Sequence, residues 1–393
     1  MKELKSLIEK SDAKCPKCGA FEKENLQKKG FRKNKREEIQ KYYCKKCGRN
    51  FVMKKMLNKS YPPNVILQSI SLYNKGMTLE EVSKTINMKF GVKTYPRLIS
   101  YWMKEFSNIC IFRKIRKVNF GKSGFENPVF EKLIEHKQPY LYKYHNLKMD
   151  LFLTGYFYRL KDYFKNVTEI CPHELFLKDN IRSSQIKIDL GYKDKIEIKK
   201  KNNYACKLAG LALKMAKTNK QRHQIVQDFM LVNDTATLAV EIPIWLNTEE
   251  IEKINSEFGI FQDFCGNPGE NNITGHIDIV QARFGLIYVL DYKPESEKVD
   301  AVSQLFTYAL ALSKRTDIWL RNFRCAWFDE NGYYEFNPND IILAHFNFNG
   351  RRQFPESELK KYVLNEKAKN YFAGLNFYKN YNKSDDFFRK QRK

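Results

Sequence analysis

The chain has 393 residues, and its 70 Lys and Arg against 45 Asp and Glu give a formal net charge of +25. So strong a positive charge implies a polyanionic partner. No stretch approaches the length of a transmembrane helix and residues 1–10 lack the apolar core of a signal peptide, so we expect a cytoplasmic protein without a membrane partner. This length accommodates two or three domains.

The first predicted element is a zinc ribbon at residues 1–57. It contains two Cys-x-x-Cys-Gly knuckles, Cys15 to Gly19 and Cys44 to Gly48, separated by a loop. Thiolates from two such turns form a closed tetrahedral site, so the spacing predicts structural Zn²⁺ bound by Cys15, Cys18, Cys44 and Cys47. Disulfides are less consistent with the single cysteines elsewhere, and a redox motif would have one Cys-x-x-Cys beside a βαβ pattern.

The loop between the knuckles is basic and is followed by Tyr42 and Tyr43. Basic residues interleaved with aromatics suit phosphate contacts and base stacking, although a solvated hairpin tip is the alternative. The candidate DNA-binding residues of this loop are Lys28, Lys29, Arg32, Lys33, Lys35 and Arg36.

Residues 58–112 have the pattern of a helix-turn-helix. The pattern predicts helices at Pro63 to Asn74, from Thr78 with a capping box, and at Tyr95 to Phe106 with Thr94 as the N-cap. Three short helices on a basic background are typical of DNA-reading domains, and a small helical packing domain is the alternative. The residues available to a groove include Thr94, Tyr95, Arg97, Ser100, Tyr101 and Lys104. Together, the knuckles and helices resemble the N-terminal DNA-binding part of prokaryotic transposases over about Cys15 to Phe106.

Residues 113–203 combine a basic linker, Arg113 to Lys117, with a region rich in Tyr, Phe and Lys. A helix is predicted near Leu151 to Phe164 and a hairpin at Ile186 to Ile198. The pattern assigns no chemistry to this region. Its aromatic side chains either stack on DNA or, as we favour, are buried; they include Tyr140, Tyr142 and Tyr144.

The last domain, residues 204–375, is predicted to hold the catalytic site. Thr274 to Ala282 and Leu286 to Pro294 are β-branched runs joined by Arg283-Phe284-Gly285, which predicts a hairpin. Asp278 lies on one strand, and Asp291 and Lys293 share a face of the other. Two carboxylates with a backbone carbonyl and water form the oxygen shell that Mg²⁺ or Mn²⁺ prefers, and a lysine can orient the nucleophile.

The neighbouring elements supply further polar groups. Ala239 to Trp245 is a predicted apolar strand interrupted by Glu241, and Gln221 to Val232 is a predicted helix that carries His223. Glu297 to Lys314 is a predicted amphipathic helix on which Gln304 and Tyr308 share a face.

This set of motifs resembles the PD-(D/E)xK nuclease superfamily, in particular its RecB-like branch, which includes lambda exonuclease. The resemblance covers about Gln221 to Lys314. It implies Asp278 and Asp291 as metal ligands, Glu241 and His223 as auxiliary ligands, Lys293 as the catalytic lysine, and Gln304 and Tyr308 as DNA-positioning groups. Some members of the branch carry a four-cysteine iron–sulfur cluster, which we do not expect here because Cys110, Cys171, Cys206, Cys265 and Cys325 occur singly.

The expected fold class is multidomain: a small zinc ribbon, an all-α helix-turn-helix, an α/β restriction-endonuclease-like core with a mixed sheet flanked by helices, and a basic tail at residues 376–393. The expected function is Mg²⁺- or Mn²⁺-dependent hydrolysis of DNA phosphodiester bonds, with an exonuclease slightly favoured over an endonuclease, in a mobile element, defence or repair. One alternative is a DNA-binding regulator with a catalytically idle nuclease fold. Another is a true transposase, for which no widely spaced set of three acidic residues stands out.

Overall fold

The structure is a computed structural model that describes residues 15, 17–18, 20, 25–33, 38–52, 59–120, 126–178, 181–186, 197–201, 203–216, 218–258, 260–261 and 272–342. In chain order the elements are β1 (Leu26–Lys33), β2 (Glu38–Cys44), β3 (Asn50–Val52), α1 (Pro63–Asn74), α2 (Leu79–Phe90), α3 (Pro96–Glu105), α4 (Phe112–Phe120), β4 (Val129–His136), β5 (Gln138–His145), α5 (Asn146–Phe152), α6 (Tyr158–Ile170), α7 (His173–Leu177), β6 (Ile181–Arg182), β7 (Lys199–Lys200), α8 (Tyr204–Ala212), α9 (Arg222–Asn233), β8 (Thr237–Leu246), α10 (Thr248–Phe258), β9 (Ile273–Arg283), β10 (Leu286–Tyr292), α11 (Val302–Thr316), β11 (Phe323–Phe328) and β12 (Tyr333–Phe336).

The chain divides into two compact units. The first contains Met1–Asn127 and Lys207–Asp234, and the second contains Pro128–Cys206 and Thr235–Lys393. The expected multidomain organisation is therefore present, although the division differs from the predicted one, because residues 207–234 belong with the N-terminal part of the chain.

The first unit begins with a three-stranded antiparallel sheet in the order β1-β2-β3. The register of β1 on β2 shifts between Lys28 and Phe31, where Gly30 has a φ of +72°. Glycine tolerates this left-handed conformation, which makes an irregularity in the strand possible without steric cost. The sheet packs its apolar residues on the cysteine cluster, with Leu26 and Tyr42 buried beside Cys44.

Three helices follow as the sequence predicted. The capping box of α2 is present, because Glu81 N donates to Thr78 Oγ1 at 3.2 Å and Thr78 N donates to Glu81 Oε2 at 2.7 Å. The prediction that Thr94 caps α3 is wrong. Tyr95 is the N-cap and makes no side-chain cap, whereas the buried Thr94 donates its hydroxyl to Asn87 Oδ1 at 2.8 Å.

The segment predicted as a basic linker forms α4. Arg116 is fully buried there, with its guanidinium stacked 3.6 Å from the Tyr73 ring. It donates to the carbonyls of Tyr73, Gly76 and Met77 at the end of α1. Terminal helix carbonyls lack intrahelical partners, so a buried cation satisfies them. Arg116 is thus a structural residue of the first unit and not a phosphate contact of a linker.

The second unit contains a mixed sheet flanked by helices, as expected for the fold class. Its strand order is β4-β5-β8-β9-β10-β11-β12-β7, and β6 pairs with β9. Neighbours along this order are antiparallel except β10 and β11, which are parallel because α11 carries the chain back between them. Helix α11 packs on β8, β10 and β11 through its buried apolar face. In the described part of the chain, no helix is both long enough and apolar enough to cross a membrane.

The hairpin that carries the predicted carboxylates forms as expected. Leu286 pairs with Arg283, and both turn residues, Phe284 and Gly285, have positive φ values of +53° and +71°. Two left-handed residues in succession give a type I′ turn, whose twist matches that of the flanking strands. The register of β9 on β10 is therefore set locally by the turn.

The aromatic-rich region contributes to the same sheet. Strand β5 pairs with β8, so β4 and β5 extend the sheet, and the helices that follow them are α5, α6 and α7. Tyr142 and Tyr144 are buried, as predicted, and Tyr142 OH donates to Phe164 O at 2.6 Å, whereas Tyr140 is only half-buried. Most of the predicted hairpin at Ile186 to Ile198 and the whole basic tail lie outside the described residues.

Candidate functional site

The four cysteines of the two knuckles lie together and could hold a metal ion. Their Sγ atoms all lie within 4.8 Å of one another, with Cys15 and Cys47 at 3.6 Å and Cys18 and Cys44 at 3.5 Å. Tetrahedral coordination with a Zn–S bond of 2.3 Å would place two sulfurs about 3.8 Å apart. The arrangement therefore fits a tetrahedral ion with only small adjustments.

The local backbone forms each knuckle. In the second, Gly48 N donates to Cys44 O at 2.8 Å, and Gly48 adopts a φ of +70° that closes the turn. Burial acts to raise the pKa of Cys15, but hydrogen bonds from the backbone of Cys18 and Lys17 and from neighbouring thiols outweigh it and lower that pKa to about 6. Cys15 thus readily forms a thiolate, which is the ligand form of cysteine, whereas burial and the neighbouring thiols raise the pKa of Cys47 to about 12.

A basic surface lies on β1, in the loop region predicted to contact DNA. Lys28, Lys29 and Arg32 are exposed there, and Phe31 presents an exposed ring among them. Lys33 ends β1, whereas the predicted Lys35 and Arg36 lie outside the described residues.

The predicted groove-facing residues of α3 mostly lie on its exposed side. Tyr95, Arg97, Tyr101 and Lys104 are exposed, and Ser100 is half-buried. Thr94 is not on this surface, because its side chain is buried and hydrogen-bonded to Asn87. Arg97, Tyr101 and Lys104 are spaced by one helical turn each and therefore share an exposed, basic and aromatic face of α3, while the exposed Tyr95 is the N-cap of the helix.

The predicted carboxylates occupy adjacent positions on three neighbouring strands. Val240 pairs with Ile279 and Ile242 with Ile277, so Glu241 on β8 lies opposite Asp278 on β9. On the other side of β9, Leu290 pairs with Ile279, and the next position along places Asp291 on β10 opposite Asp278. Directly opposed residues of neighbouring strands share a face of the sheet.

Asp291 is the most buried of these acids, with 1% of its surface exposed. Its Oδ2 lies 2.8 Å from Lys293 Nζ, yet it has no partner of regular hydrogen-bond geometry among the described residues. Burial and the neighbouring charge of Asp278 raise the pKa of Asp291 well above its usual value, and Lys293 offsets only part of this effect. The pKa of Asp291 stays raised despite its ion pair with Lys293, which indicates that one lysine does not balance the negative charge at this position.

Lys293 remains charged beside these acids. Burial acts to lower its pKa, but Asp291 and Asp278 raise it above the ordinary value. A quarter of its side chain is exposed, compared with 2% for Asp291. Its ammonium is therefore anchored in the protein and still accessible from solvent.

Tyr308 and Gln304 lie over the acids from α11. Gln304 Nε2 donates to Tyr308 OH at 2.9 Å, as their spacing of one helical turn predicted. Burial raises the pKa of Tyr308 well above its usual value, and the charges of Asp291, Asp278 and Glu241 add to the shift. The charges of all three carboxylates therefore act on the phenol of Tyr308.

Two backbone features of the site were not predicted. Gly275 lies directly beneath the Tyr308 ring, since a Cβ there would be 2.7 Å from Tyr308 Cε1. Glu241 adopts a φ of +53° within β8, a conformation that non-glycine residues rarely take. The glycine of the Gly-x-x-Asp motif could have indicated the close approach of the Tyr308 ring. The positive φ of Glu241 had no such indication, because the residues around it have the pattern of a regular apolar strand.

Among the predicted Mg²⁺ or Mn²⁺ ligands, His223 on α9 belongs to the first unit, whereas Glu241, Asp278 and Asp291 belong to the second. It is half-buried. Its role as an auxiliary ligand remains a prediction.

No protein-family model matches the chain, and neither a curated protein nor a solved structure matches it.

Proposed function

We propose that the chain is a divalent-metal-dependent nuclease of the PD-(D/E)xK type that hydrolyses phosphodiester bonds in DNA. The main support for this proposal is the alignment of Glu241, Asp278 and Asp291 at directly opposed positions of three neighbouring strands. Lys293 is ion-paired to Asp291. Three acids side by side repel one another unless a cation joins them. One lysine compensates only part of that charge.

Mg²⁺ or Mn²⁺ fits this group of side chains. The donors are carboxylate oxygens, which these ions prefer, and Asp291 Oδ2 is buried without a regular hydrogen bond. Asp278 and Asp291 would hold the ion, with Glu241 as an auxiliary ligand. When bound, the ion supplies Lewis-acid activation of the phosphate and a more acidic water.

The protein side chains have separate roles in this proposal. Lys293 keeps its proton next to Asp291 and neutralises negative charge on the attacked phosphate or orients the attacking water. Tyr308, fixed by the hydrogen bond from Gln304, closes the other side of the site and positions the DNA backbone. The anchoring of both groups by neighbouring side chains restricts their motion, which favours catalysis by positioning.

The N-terminal unit supports DNA as the substrate. We propose that Zn²⁺ occupies the four-cysteine cluster and keeps the ribbon folded, since its small core cannot be stable alone. The exposed cations of β1 and the exposed face of α3 then bind DNA, with phosphate contacts from Arg97 and Lys104 and stacking from Tyr95 and Tyr101. The formal charge of +25 is consistent with this partner.

The deciding experiment compares the purified full-length wild type with Asp291→Ala. End-labelled linear DNA and closed circular DNA are incubated with Mg²⁺, Mn²⁺ or chelator, and the products are separated on gels. Asp150→Ala is the matched control, because Asp150 is an exposed acid of the same unit whose ion pair with Lys161 contributes little. DNA affinity is measured in parallel by fluorescence anisotropy.

We expect metal-dependent cleavage by the wild type and by Asp150→Ala, and none by Asp291→Ala, with DNA affinity retained in all three. Survival of the circle would identify an enzyme that requires DNA ends. Cleavage that persists in Asp291→Ala would refute the site. Tight DNA binding without cleavage by the wild type would favour the regulator with an idle nuclease fold.

A further inference from the structure

A second group of metal-ligating side chains lies in the second unit, apart from the three carboxylates. His136 ends β4, Cys171 directly follows α6, and His173 is the first residue of α7. One ligand atom from each of the three lies within 4.8 Å of the other two. His136 and Cys171 are buried and His173 is half-buried, so the group is largely removed from water.

The two imidazoles face each other through one nitrogen each. His136 Nε2 lies 2.7 Å from His173 Nδ1. Each ring also has an outer partner, because His173 Nε2 lies 3.2 Å from Thr168 O and His136 Nδ1 lies 3.0 Å from His276 Nε2. When the outer nitrogens carry the protons, His173 donates to Thr168 O and His136 donates to His276. The two inner nitrogens then both present lone pairs toward the same point.

We propose that His136 Nε2, His173 Nδ1 and Cys171 Sγ bind a Zn²⁺ ion, with a water in the fourth position. Two imidazoles and a thiolate are the nitrogen and sulfur donors that Zn²⁺ selects, whereas Mg²⁺ and Mn²⁺ prefer oxygen. Ligand histidines regularly donate their second N–H to a carbonyl or another acceptor, and Thr168 O and His276 already supply these acceptors.

Zinc binding would require the two inner imidazole nitrogens to move slightly apart. Zn–N bonds of about 2.0–2.1 Å at tetrahedral angles place two nitrogens about 3.3 Å apart. The inner nitrogens at 2.7 Å must therefore separate by about 0.6 Å, within the reach of small side-chain rotations. Phe176 stacks on His136 at 3.9 Å between ring centroids, and Tyr140 stacks on His276 at 3.6 Å. The imidazole rings of His136 and His276 are therefore already fixed in orientation.

The ion would join parts of the unit that are distant in sequence. It links the end of β4 to the turn between α6 and α7, and His276 connects it to β9, two residues before Asp278. The role that follows is structural support of the sheet edge next to the carboxylates. This site is independent of the proposed nuclease activity, since none of its three ligands is among the proposed catalytic residues.

The test counts zinc in the full-length protein by inductively coupled plasma mass spectrometry after dialysis against metal-free buffer. The wild type is expected to hold two ions per chain, and Cys171→Ser and His173→Gln one each. Cys206→Ser, which alters a buried cysteine outside both clusters, is expected to keep two. Circular dichroism confirms that each variant is folded.

A second readout identifies the ligands even where a variant does not fold. In the double variant Cys15→Ser and Cys44→Ser, the four-cysteine cluster is lost, and Co²⁺ is added in place of Zn²⁺. Thiolate-to-cobalt absorption in this variant supports the site, and its loss in a folded Cys171→Ser derivative of the double variant identifies the sulfur ligand. A wild type with one zinc, folded Cys171→Ser and His173→Gln variants that keep two, or a double variant without thiolate-to-cobalt absorption would each overturn it. The histidines would then form a hydrogen-bonded chain without a metal.

Discussion

Gly275 offers the sharpest test of how tightly the site is packed. In Gly275→Ala the new Cβ would lie 2.7 Å from Ser183 Oγ and 2.7 Å from Tyr308 Cε1. Non-bonded carbon contacts are comfortable at about 3.5–4.0 Å, so the neighbours must move by about 0.8 Å or more. Ser183 is fully buried and donates to Thr274 O at 3.1 Å, and Tyr308 is held by Gln304, so neither moves freely.

The expected effect has two parts. Overpacking of a filled interior costs about 1–3 kcal/mol, and each kcal/mol lowers the melting temperature by about 2–4 °C in a domain of 150–250 residues. Displacement of Tyr308 by nearly 1 Å from the carboxylates should also lower the rate of DNA cleavage by about 100-fold. The rate is measured with end-labelled DNA below the melting temperature, and stability by differential scanning fluorimetry.

Gly332→Ala is the matched control. Its Cβ would lie 2.9 Å from Tyr334 Cε2, a comparable clash in the same unit that does not involve Tyr308. We expect Gly332→Ala to lose similar stability while it keeps most of the cleavage rate. A folded Gly275→Ala protein that cleaves at the wild-type rate would refute the reasoning that the position of Tyr308 matters.

Three further predictions concern the acids, the ribbon and the helix face. Because the folded pKa of Asp291 is raised, its contribution to stability is present below the ordinary carboxyl pKa and is lost as pH rises toward the folded value. In chelator at pH 7, Asp291→Asn should therefore melt higher than the wild type, and a lower melting temperature at pH 7 would contradict this. Cys44→Ser should lose the ribbon zinc and weaken DNA binding while the second unit keeps its melting transition; unchanged zinc content and salt-dependent affinity would exclude the ribbon site. Arg97→Ala should weaken DNA binding without a change in stability and reduce the salt slope by about one. An unaltered slope would remove Arg97 from the interface.

Local sequence rules were sufficient for much of the site. The turn Phe284-Gly285 between two β-branched runs determined the hairpin and hence the register that aligns Asp278 with Asp291. Spacing on a helix was enough to place Gln304 next to Tyr308. Both inferences depend on residues a few positions apart, where backbone geometry alone determines which side chains meet.

Long-range contacts account for what the sequence did not reveal. Threonine is a favoured N-cap residue, but Asn87 on the preceding helix accepts hydrogen bonds from the hydroxyl and the backbone N–H of Thr94. Lys143 pairs with Val240 across the sheet, so β5 joins strands that occur nearly a hundred residues later. His136 and Cys171 are likewise brought together only by the fold, and their separation in sequence gave no sign of a shared site.

Three energetic costs coincide at the proposed metal site. Glu241 adopts a left-handed backbone conformation, which costs about 1–3 kcal/mol for a non-glycine residue and persists only where the surroundings impose it. The pairs formed by Val240 and Ile242 on either side keep β8 in register with β9, so the distortion is confined to the acid. Asp291 is buried and its charge is disfavoured, and Asp278 lies between the two. Strain, desolvation and like-charge repulsion at three adjacent positions would all act against folding. A divalent cation bound by the proposed ligands would offset the desolvation and the like-charge repulsion, which is the physical argument for a metal at these three positions.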